Sequence, residues 1–454
     1  MGLLAADIND AGITVLSEDA VVYREPGFAL LEEDGLTTGR AAYANARIKP
    51  RRIHDHYWSN LITDPLPDQR FQHLSAADLV SRQLEQISEK SLAHGDRVVV
   101  AVPAYMNNEN LGLFLGICHE VGLPIAGLID AAVAATRRHY INASPVHVDL
   151  SLHSASLTRL AQAGQTQVEK SAVVEESGLV ALYEGWIRLI SDAFVQQSRF
   201  DPLHTAETEQ MLLDRIPGWL DSAAGNSKVG LELEYRGISH AVELESLELV
   251  AAAAPVYQRI VSQLRAIYRA DETPAIQLTD RAARMPGLGE LLKARVGGEV
   301  FLLEPGAAAR GLLARCREMS GGEQISLVRH LPWDQAPVEL HVAPDVTAGG
   351  RPSHLLFENT AYAITEQALN LGSQSVDGER WIDLQQDMPG VSRRHCSLAL
   401  ENGQCVLRDF SRYGTFLNGH KMDGSTVLQT GDLVRLGTPG HELRLIATEA
   451  SDGA

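Results

Sequence analysis

The sequence predicts two domains of different class, an α/β domain followed by an all-β sandwich. A chain of 454 residues is too long for one ordinary hydrophobic core. Before residue 332, apolar strand-like runs alternate with amphipathic helices, whereas after residue 354 short strand-like runs are separated by frequent turn signals. The region between is rich in Pro and Gly. We therefore predict domains at 1–332 and 354–448, a linker at 333–353 and a tail at 449–454.

Composition and charge exclude several classes of protein. Hydrophobic residues make up 45% of the chain and charged residues 21%, which is typical of a soluble globular protein. The formal net charge of -19 disfavours binding to nucleic acid or to anionic membranes. The chain starts without a basic signal-peptide segment, and its most apolar stretch, 111–136, is interrupted by charged residues. The four cysteines lack metal-binding or paired spacing, so we expect a cytoplasmic protein without a metal site.

The elements of the first domain can be placed in order from local patterns. Ser75 and Asp78 form a capping-box pattern that predicts a helix ending near Gly95. The run RVVVAVP then predicts a strand buried on both faces, followed by a helix over 107–121 and a strand over 123–129. This order of strand, helix and strand predicts a parallel crossover unit.

Two similar hairpin patterns suggest an internal duplication. LLAADINDAGITVL at 3–16 and PVHVDLSLHSASLTRL at 145–160 both read as strand, acidic turn and strand. In each, one aspartate, Asp7 or Asp149, closes the first strand. Taken alone, such hairpins are ordinary structural features, but their occurrence in both halves of one domain favours two duplicated lobes.

Over about residues 3 to 315, these segments resemble the actin-like ATPase superfamily, most closely the nucleotide-binding domain of DnaK-type heat-shock chaperones. The most specific string is VPAYM at 102–106. The resemblance implies two duplicated lobes around a nucleotide cleft. It also implies that Asp7 and Asp149 correspond to aspartates that hold a magnesium shell, and that Asp130 stands where the family has a water-positioning glutamate.

The positions that would hold ATP depart from the family pattern. The first turn reads NDA at 9–11 where the family has Gly-Thr-Thr, and the second reads SLHS at 151–154 where it has a glycine triplet and threonine. The adenosine-binding Gly-Gly-Ser has become TDR at 279–281, and no lysine corresponds clearly to the catalytic one. The residues predicted to line this degenerate cleft are Asp7, Asn9, Asp10, Asp130, Asp149, Ser151, Thr279 and Asp280.

A carboxylate in the phosphate-binding turn opposes ATP binding. At about 4 Å from a phosphate charge, Asp10 would cost roughly 4 kcal/mol at an effective dielectric of about 20. We therefore predict a fold that persists as a scaffold, without a catalytic residue and without a cofactor. The alternative is that rearranged loops still bind ATP and Mg²⁺. A lone turn histidine, His153, is expected to be solvated.

The C-terminal part resembles a forkhead-associated (FHA) domain, a β-sandwich whose loops bind phosphothreonine peptides. The motifs SRRH at 392–395, RDFSRYGTFLNG at 408–419 and GDLVRLG at 431–437 occur in the family's order. The resemblance implies that Ser392 and Arg393 face phosphate, and His395 is expected to brace their loop. Two family residues are replaced: the arginine that clamps phosphate, and the asparagine before the Gly-Thr pair. The predicted partner-binding residues are Ser373, Ser392, Arg393, Arg394, Arg412 and Tyr413, the first and last being the two replacements.

The function predicted from these patterns is that of a bacterial, cytoplasmic, non-catalytic adaptor with a pseudo-ATPase DnaK-like domain. Its FHA loops would bind a protein partner, with phosphothreonine-dependent and phosphate-independent recognition both left open. The alternative is an ATP-binding switch or chaperone-like ATPase whose nucleotide state controls recruitment by the FHA domain. A third hypothesis is filament formation like that of actin relatives.

Overall fold

A computed structural model describes most of the chain from residue 2 to residue 446. The described residues exclude 19, 34, 270–271, 317–324, 335–351, 358–359, 377, 385–390, 402, 413, 418–419, 423, 430–431 and 438–440. The chain divides into two compact units, Met1–Asp334 and Gln335–Ala454. The division therefore falls within the region rich in Pro and Gly.

The first unit is an α/β structure. Its strands are β1 (Leu3–Asp7), β2 (Ile13–Ser17), β3 (Ala20–Glu25), β4 (Ala29–Glu32), β5 (Gly35–Thr38), β6 (Ile53–His54), β7 (Arg97–Val102), β8 (Ile125–Asp130), β9 (Ser144–Leu150), β10 (Ser154–Gln162), β11 (Thr166–Glu175), β12 (Lys228–Tyr235), β13 (Ile238–Glu245), β14 (Pro274–Leu278), β15 (Glu299–Leu302), β16 (Leu327–Val328) and β17 (His330–Leu331). Its helices are α1 (Arg40–Tyr43), α2 (Ala76–Ser91), α3 (Asn108–Glu120), α4 (Ala131–Ala135), α5 (Leu179–Ser198), α6 (Ala206–Ala223), α7 (Ser246–Ile267), α8 (Asp280–Ala283), α9 (Leu288–Val296) and α10 (Ala307–Arg315).

Two six-stranded sheets of this unit share a five-stranded topology, and their sixth strands lie at opposite edges. Their strand orders are β16-β8-β7-β1-β2-β3 and β15-β14-β9-β10-β11-β17. In each sheet, three consecutive strands form an antiparallel meander. One later strand pairs in parallel with the first strand of the meander, and a second later strand pairs in parallel with that one. Both predicted hairpins are present, as β1–β2 and β9–β10. The unit therefore contains the same five-stranded pattern twice.

The local predictions for the first crossover are confirmed. Ser75 and Asp78 form the capping box at the start of α2, which ends at Ser91. Leu79, Leu84 and Ile87 are buried on one face of this helix. Strands β7 and β8 pair in parallel through α3. In this order β7 lies between β8 and β1, so all three strands run parallel in the same sheet.

The second unit consists of two β-sheets. Its strands are β18 (His354–Phe357), β19 (Thr360–Ala363), β20 (Leu369–Gly372), β21 (Arg380–Asp383), β22 (Cys396–Glu401), β23 (Gln404–Asp409), β24 (Thr415–Leu417), β25 (His420–Lys421), β26 (Ser425–Leu428), β27 (Leu433–Leu436) and β28 (His441–Ile446). The sheet orders are β19-β18-β28-β27-β24-β25 and β21-β20-β22-β23-β26.

Alternate residues of both sheets build one shared hydrophobic core. Leu369 and Leu371 of β20 belong to it, as do Leu443 and Leu445 of β28. This period of two places one face of each sheet against the other, as in a β-sandwich. Cys396 and Cys405 are buried in this core on neighbouring strands, as predicted.

No helix in the described part of the chain is both long enough and apolar enough to cross a membrane.

Candidate functional site

An arginine lies between the two aspartates that close the duplicated first strands. The Arg281 Nη2 atom is 2.9 Å from the Asp149 carboxylate and 3.2 Å from that of Asp7. The Arg281 Nε–H also donates to Asp149 Oδ1 at 3.1 Å. The family resemblance relates these aspartates to residues that hold a magnesium shell, whereas in the structure a side chain of the same molecule supplies the positive charge between them.

Burial and the neighbouring arginine affect the two aspartates differently. Burial opposes ionisation of Asp149, but the charge of Arg281 and the hydrogen bonds from Arg281 and Thr279 outweigh it, so the pKa of Asp149 is lowered. Burial dominates at Asp7, where the pKa is raised although Arg281 partly offsets the effect. The Asp7 Oδ1 atom has no hydrogen-bond partner among the described residues. The site is therefore a buried ion triad in which Asp149 holds most of the hydrogen bonds.

In the turns of both hairpins, backbone amides donate hydrogen bonds to side-chain oxygens of the same two turns. The Asp10 Oδ1 atom accepts a hydrogen bond of 2.8 Å from the amide of Leu152, which lies in the other hairpin turn. Within the first turn, the Ala11 amide donates to Asn9 Oδ1 at 2.9 Å. In the second, the Ser154 amide donates to Ser151 Oγ at 3.1 Å. Side-chain oxygens thus occupy amides that could otherwise donate to an anion.

Asp10 is a buried carboxylate in the first hairpin turn. It is fully buried, and burial raises its pKa to about 6 despite the hydrogen bond from Leu152. Its Oδ2 atom has no hydrogen-bond partner within the described structure. At neutral pH this turn therefore carries a buried negative charge, which would repel an anionic ligand.

The space beside the aspartate pair does not fit a hydrated magnesium ion with a triphosphate. A cavity of about 10 Å³ adjoins Asp7, Asp149 and Arg281. This volume is scarcely that of one water molecule. Because Mg²⁺ in proteins usually retains several waters, the residues present do not fit Mg-ATP at this position.

The remaining predicted cleft residues have structural contacts. Asn9 joins the hairpins, because its Nδ2 donates to Asp149 Oδ2 at 2.8 Å and to the Leu150 carbonyl at 3.1 Å. Thr279 donates to Asp149 Oδ1 at 2.6 Å and caps α8, whose first residue is the half-buried Asp280. Asp130 caps α4, since its Oδ1 accepts from the amides of residues 132 and 133. The structure thus brings Asp7, Asn9, Asp149 and Thr279 together around Arg281, whereas Asp130 serves a neighbouring helix.

A larger cavity of about 540 Å³ lies in the same unit. Its volume is within the range of small-molecule sites. The cavity is lined by aromatic, charged and aliphatic side chains. The arginines and acids that line it are Arg24, Arg40, Arg47, Arg281, Arg284, Glu25, Asp55, Glu184 and Asp221. This cavity was not predicted from the sequence, because its lining comes from segments far apart in the chain.

The prediction that His153 is solvated is wrong. Its side chain is only 15% exposed, and its Nε2 lies 3.2 Å from the Asp55 carbonyl oxygen and 3.5 Å from Asp55 Oδ1. Its ring stacks on that of His56 with centroids 3.4 Å apart. The reason is that the second hairpin turn lies against the segment after β6, which brings a carboxylate and a second imidazole to this histidine.

In the second unit, three loops meet at the end of β20. The amides of Ser373 and residue 374 donate to the carbonyls of Ser392 and Arg393, each at 3.2 Å. Gly372 permits this approach, since a Cβ atom there would lie 2.0 Å from the Arg393 carbonyl oxygen. The Arg412 amide donates to Ser392 Oγ at 3.0 Å. The structure therefore brings together Ser373, Ser392, Arg393 and Arg412, four of the predicted partner-binding residues.

His395 supports these loops from the interior of the second unit. It is fully buried, its Nδ1 accepts from the Ser392 amide at 3.1 Å, and its Nε2 lies 3.1 Å from the Gly414 carbonyl oxygen. Because Nδ1 accepts, Nε2 carries the proton and donates. These are the contacts expected of the predicted brace.

The arginines of the site differ in what they contact. Arg394 donates to Asn370 Oδ1 at 2.8 Å and lies over the ring of Phe410. Arg393 and Arg412 are exposed, and their guanidinium groups form no hydrogen bond or ion pair with any residue that the structure describes. These two cations are thus available to a ligand. Tyr413 lies outside the described residues.

Comparison with known proteins identifies the second unit. The FHA domain family matches residues 371–437, which contain the loops just described. An FHA domain is a protein-interaction module of the kind that binds phosphoproteins. No curated protein matches the chain.

Proposed function

We propose that this protein is a non-catalytic adaptor that binds a phosphothreonine-containing partner through its FHA loops. The observation that carries the proposal is the pair of exposed guanidinium groups, Arg393 and Arg412, on two loops joined through Ser392. A phosphate dianion forms strong, charge-assisted hydrogen bonds with donors that are held on rigid loops. Because Ser373 replaces the family's clamping arginine, these two residues would provide the positive charge.

The experiment is a comparison of peptides with and without phosphate. A phosphothreonine peptide array probed with the full chain, beside its unphosphorylated twin, identifies sequences that depend on the phosphate. For the best peptide, we expect Arg393→Ala and Arg412→Ala each to weaken binding by about ten- to a hundredfold, which corresponds to one lost charge-assisted hydrogen bond.

Arg408→Ala is the matched control. This arginine is exposed in the same unit, but it pairs with Glu401 at 2.7 Å on the adjacent strand. We expect its substitution to leave the affinity unchanged. Equal binding of the phosphorylated and plain peptides would instead establish phosphate-independent recognition. Binding unchanged by Arg393→Ala and Arg412→Ala would reject the proposed loops.

For the first unit, we propose an actin-like, DnaK-type fold whose nucleotide cleft no longer turns over ATP. Support for the fold comes from the five-stranded pattern that the two sheets share and from the two hairpins whose first strands carry Asp7 and Asp149 at their ends. Support for the loss of activity comes from Arg281 between the aspartates and from Asp10 on the Leu152 amide. The cytoplasmic location and bacterial origin remain parts of the same proposal.

An ATP-binding switch is the second candidate, and the 540 Å³ cavity favours it. Its aromatic side chains and arginines could accept a base and phosphates without using the aspartate pair. Calorimetry with Mg-ATP separates the candidates. Binding tighter than about 100 µM, or about -5.5 kcal/mol, would support the switch, whereas no measurable heat supports the scaffold.

A further inference from the structure

Three potential metal ligands converge beside the large cavity. Asp55 and His56 follow β6, and His153 lies in the turn between β9 and β10. One ligand atom of each, namely a carboxylate oxygen or an imidazole nitrogen, lies within 4.8 Å of the other two. No other group of three such side chains was found in the described part of the chain.

Two of the three distances between the ligand atoms are near those of a tetrahedral site. The His153 and His56 Nε2 atoms lie 3.5 Å and 4.0 Å from the same Asp55 oxygen. Ligands bound at about 2.1 Å in a tetrahedron are separated by about 3.4 Å. For all three atoms to reach bonding distance of one ion, the His56 ring, which is 64% exposed, would have to turn.

The contacts among the three side chains are a polar contact between His153 and Asp55 and a ring stack between His56 and His153. His153 reaches Asp55 directly, but the His56 Nε2 atom also approaches the same carboxylate at 4.0 Å, which is beyond hydrogen-bond distance. The two rings stack at 3.4 Å with an angle of 15° between their planes. The nitrogen lone pairs of two stacked imidazoles run nearly parallel, so binding of one ion by both rings requires this stack to open.

The turn that carries His153 is fixed before any ligand binds. The Ser177 amide donates to the His153 carbonyl at 3.2 Å, and the Leu152 amide is held by Asp10. Gly178 packs so closely that a Cβ atom there would lie 2.4 Å from the Leu152 carbonyl oxygen. A fixed turn reduces the entropy lost when a ligand is bound.

We propose that Asp55, His56 and His153 bind a divalent transition-metal ion of the zinc type. Two imidazoles and one carboxylate suit Zn²⁺ and its neighbours, whereas Mg²⁺ and Ca²⁺ require oxygen ligands. Three protein ligands leave one coordination position open. Because Asp55 also lines the cavity, the ion would lie at the cavity edge and join the segment after β6 to the second hairpin.

The test is titration of the chelator-treated full-length protein with Zn²⁺ by calorimetry, and with Co²⁺ by visible absorption. We expect one site with a tetrahedral Co²⁺ spectrum. His56→Ala and His153→Ala should each weaken its affinity at least tenfold and abolish the spectrum. His56 is 64% exposed, so its variant retains the fold and tests the site without loss of structure.

His73→Ala and His94→Ala are the controls, since both histidines are exposed and belong to no cluster in the described structure. Their affinities for Zn²⁺ should equal that of the unaltered protein. The proposal is overturned if His56→Ala binds Zn²⁺ as the unaltered protein does. It is also overturned if Co²⁺ gives no tetrahedral spectrum.

Discussion

At the scale of single residues, Arg281 is the side chain on which the aspartate cleft depends. Two buried carboxylates face it, and Asp7 has no other side-chain partner among the described residues. Removing one member of a buried ion network leaves uncompensated charge, which costs about 3–5 kcal/mol. We therefore expect Arg281→Met to lower the free energy of unfolding by about that amount in urea denaturation.

A second substitution tests whether charge is the cause. Asp7→Asn in the Arg281→Met background removes one of the two unpaired carboxylates, so it should restore part of the lost stability. If the double variant instead loses the sum of the two single-variant losses in the free energy of unfolding, the arginine acts through packing.

Asp130 gives a prediction about pH. Burial raises its pKa to about 6, although the amides of Val133 and Ala132 lower it. Because the folded pKa lies above the unfolded value, stability from this group is complete below about pH 4 and is lost as pH rises through about 6. Asn also caps helices, so Asp130→Asn should retain the cap and remove the charge. At pH 7.5 this substitution should raise the free energy of unfolding by at most roughly 3 kcal/mol, and the gain should vanish near pH 4.

Asp68→Asn serves as the control for that measurement. Asp68 caps a short 3₁₀ turn, and hydrogen bonds from Arg70 lower its pKa to about 2. The pKa shift of Asp68 is therefore opposite in sign to that of Asp130, and Asp68→Asn should not raise the free energy of unfolding at pH 7.5. Guanidinium denaturation of both variants across pH 4 to 8 distinguishes the two cases. A gain for Asp130→Asn that does not change with pH would contradict the assigned cause.

At the scale of elements, the end of β20 depends on one glycine. A Cβ at Gly372 would overlap the Arg393 carbonyl, so Gly372→Ala must displace the loop that carries Ser392 and Arg393. We expect a loss of about 1–3 kcal/mol in stability of the FHA unit, together with weaker peptide binding. Thermal unfolding and peptide titration of the same variant measure the two effects.

Gly116→Ala provides the opposite case. Gly116 lies in the interior of α3, is exposed, and has no atom within 4 Å of a Cβ placed there. Alanine at an exposed helix position should stabilise the protein by up to about 1 kcal/mol. If Gly372→Ala were equally harmless, the close approach of the two loops would not exist in solution.

Elements with strong local signals were predictable from the sequence. The capping box at Ser75 and the β-branched run of β7 are encoded by neighbouring residues, and both were confirmed. The hairpin aspartates could be identified because the same pattern occurs twice. By contrast, no local pattern shows that Arg281 reaches Asp7, because the two residues are 274 positions apart.

The same limit applies to the histidine cluster. The adjacent His54, Asp55 and His56 were a usable signal for metal binding. Their partner His153, however, is 98 positions from Asp55, and nothing in the second turn indicates the contact. The FHA loops were easier to predict, because three motifs in a fixed order specify one end of a small sandwich.

At the scale of the whole molecule, the two units have separate hydrophobic cores. The described core residues of the second unit form one cluster, and those of the first unit form four others. Separate cores allow each unit to unfold cooperatively by itself. We therefore expect calorimetry of the full chain to resolve two transitions.

The sizes of the units and two single substitutions assign these transitions. At about 0.7 kcal/mol per residue, the smaller unit should unfold with about 80 kcal/mol and the larger with about 230 kcal/mol. Gly372→Ala should lower only the smaller transition, and Arg281→Met only the larger one. A joint shift of both transitions in either variant would mean that the units unfold together. In that case a ligand bound to the first unit could change the stability of the FHA loops, as the switch hypothesis requires.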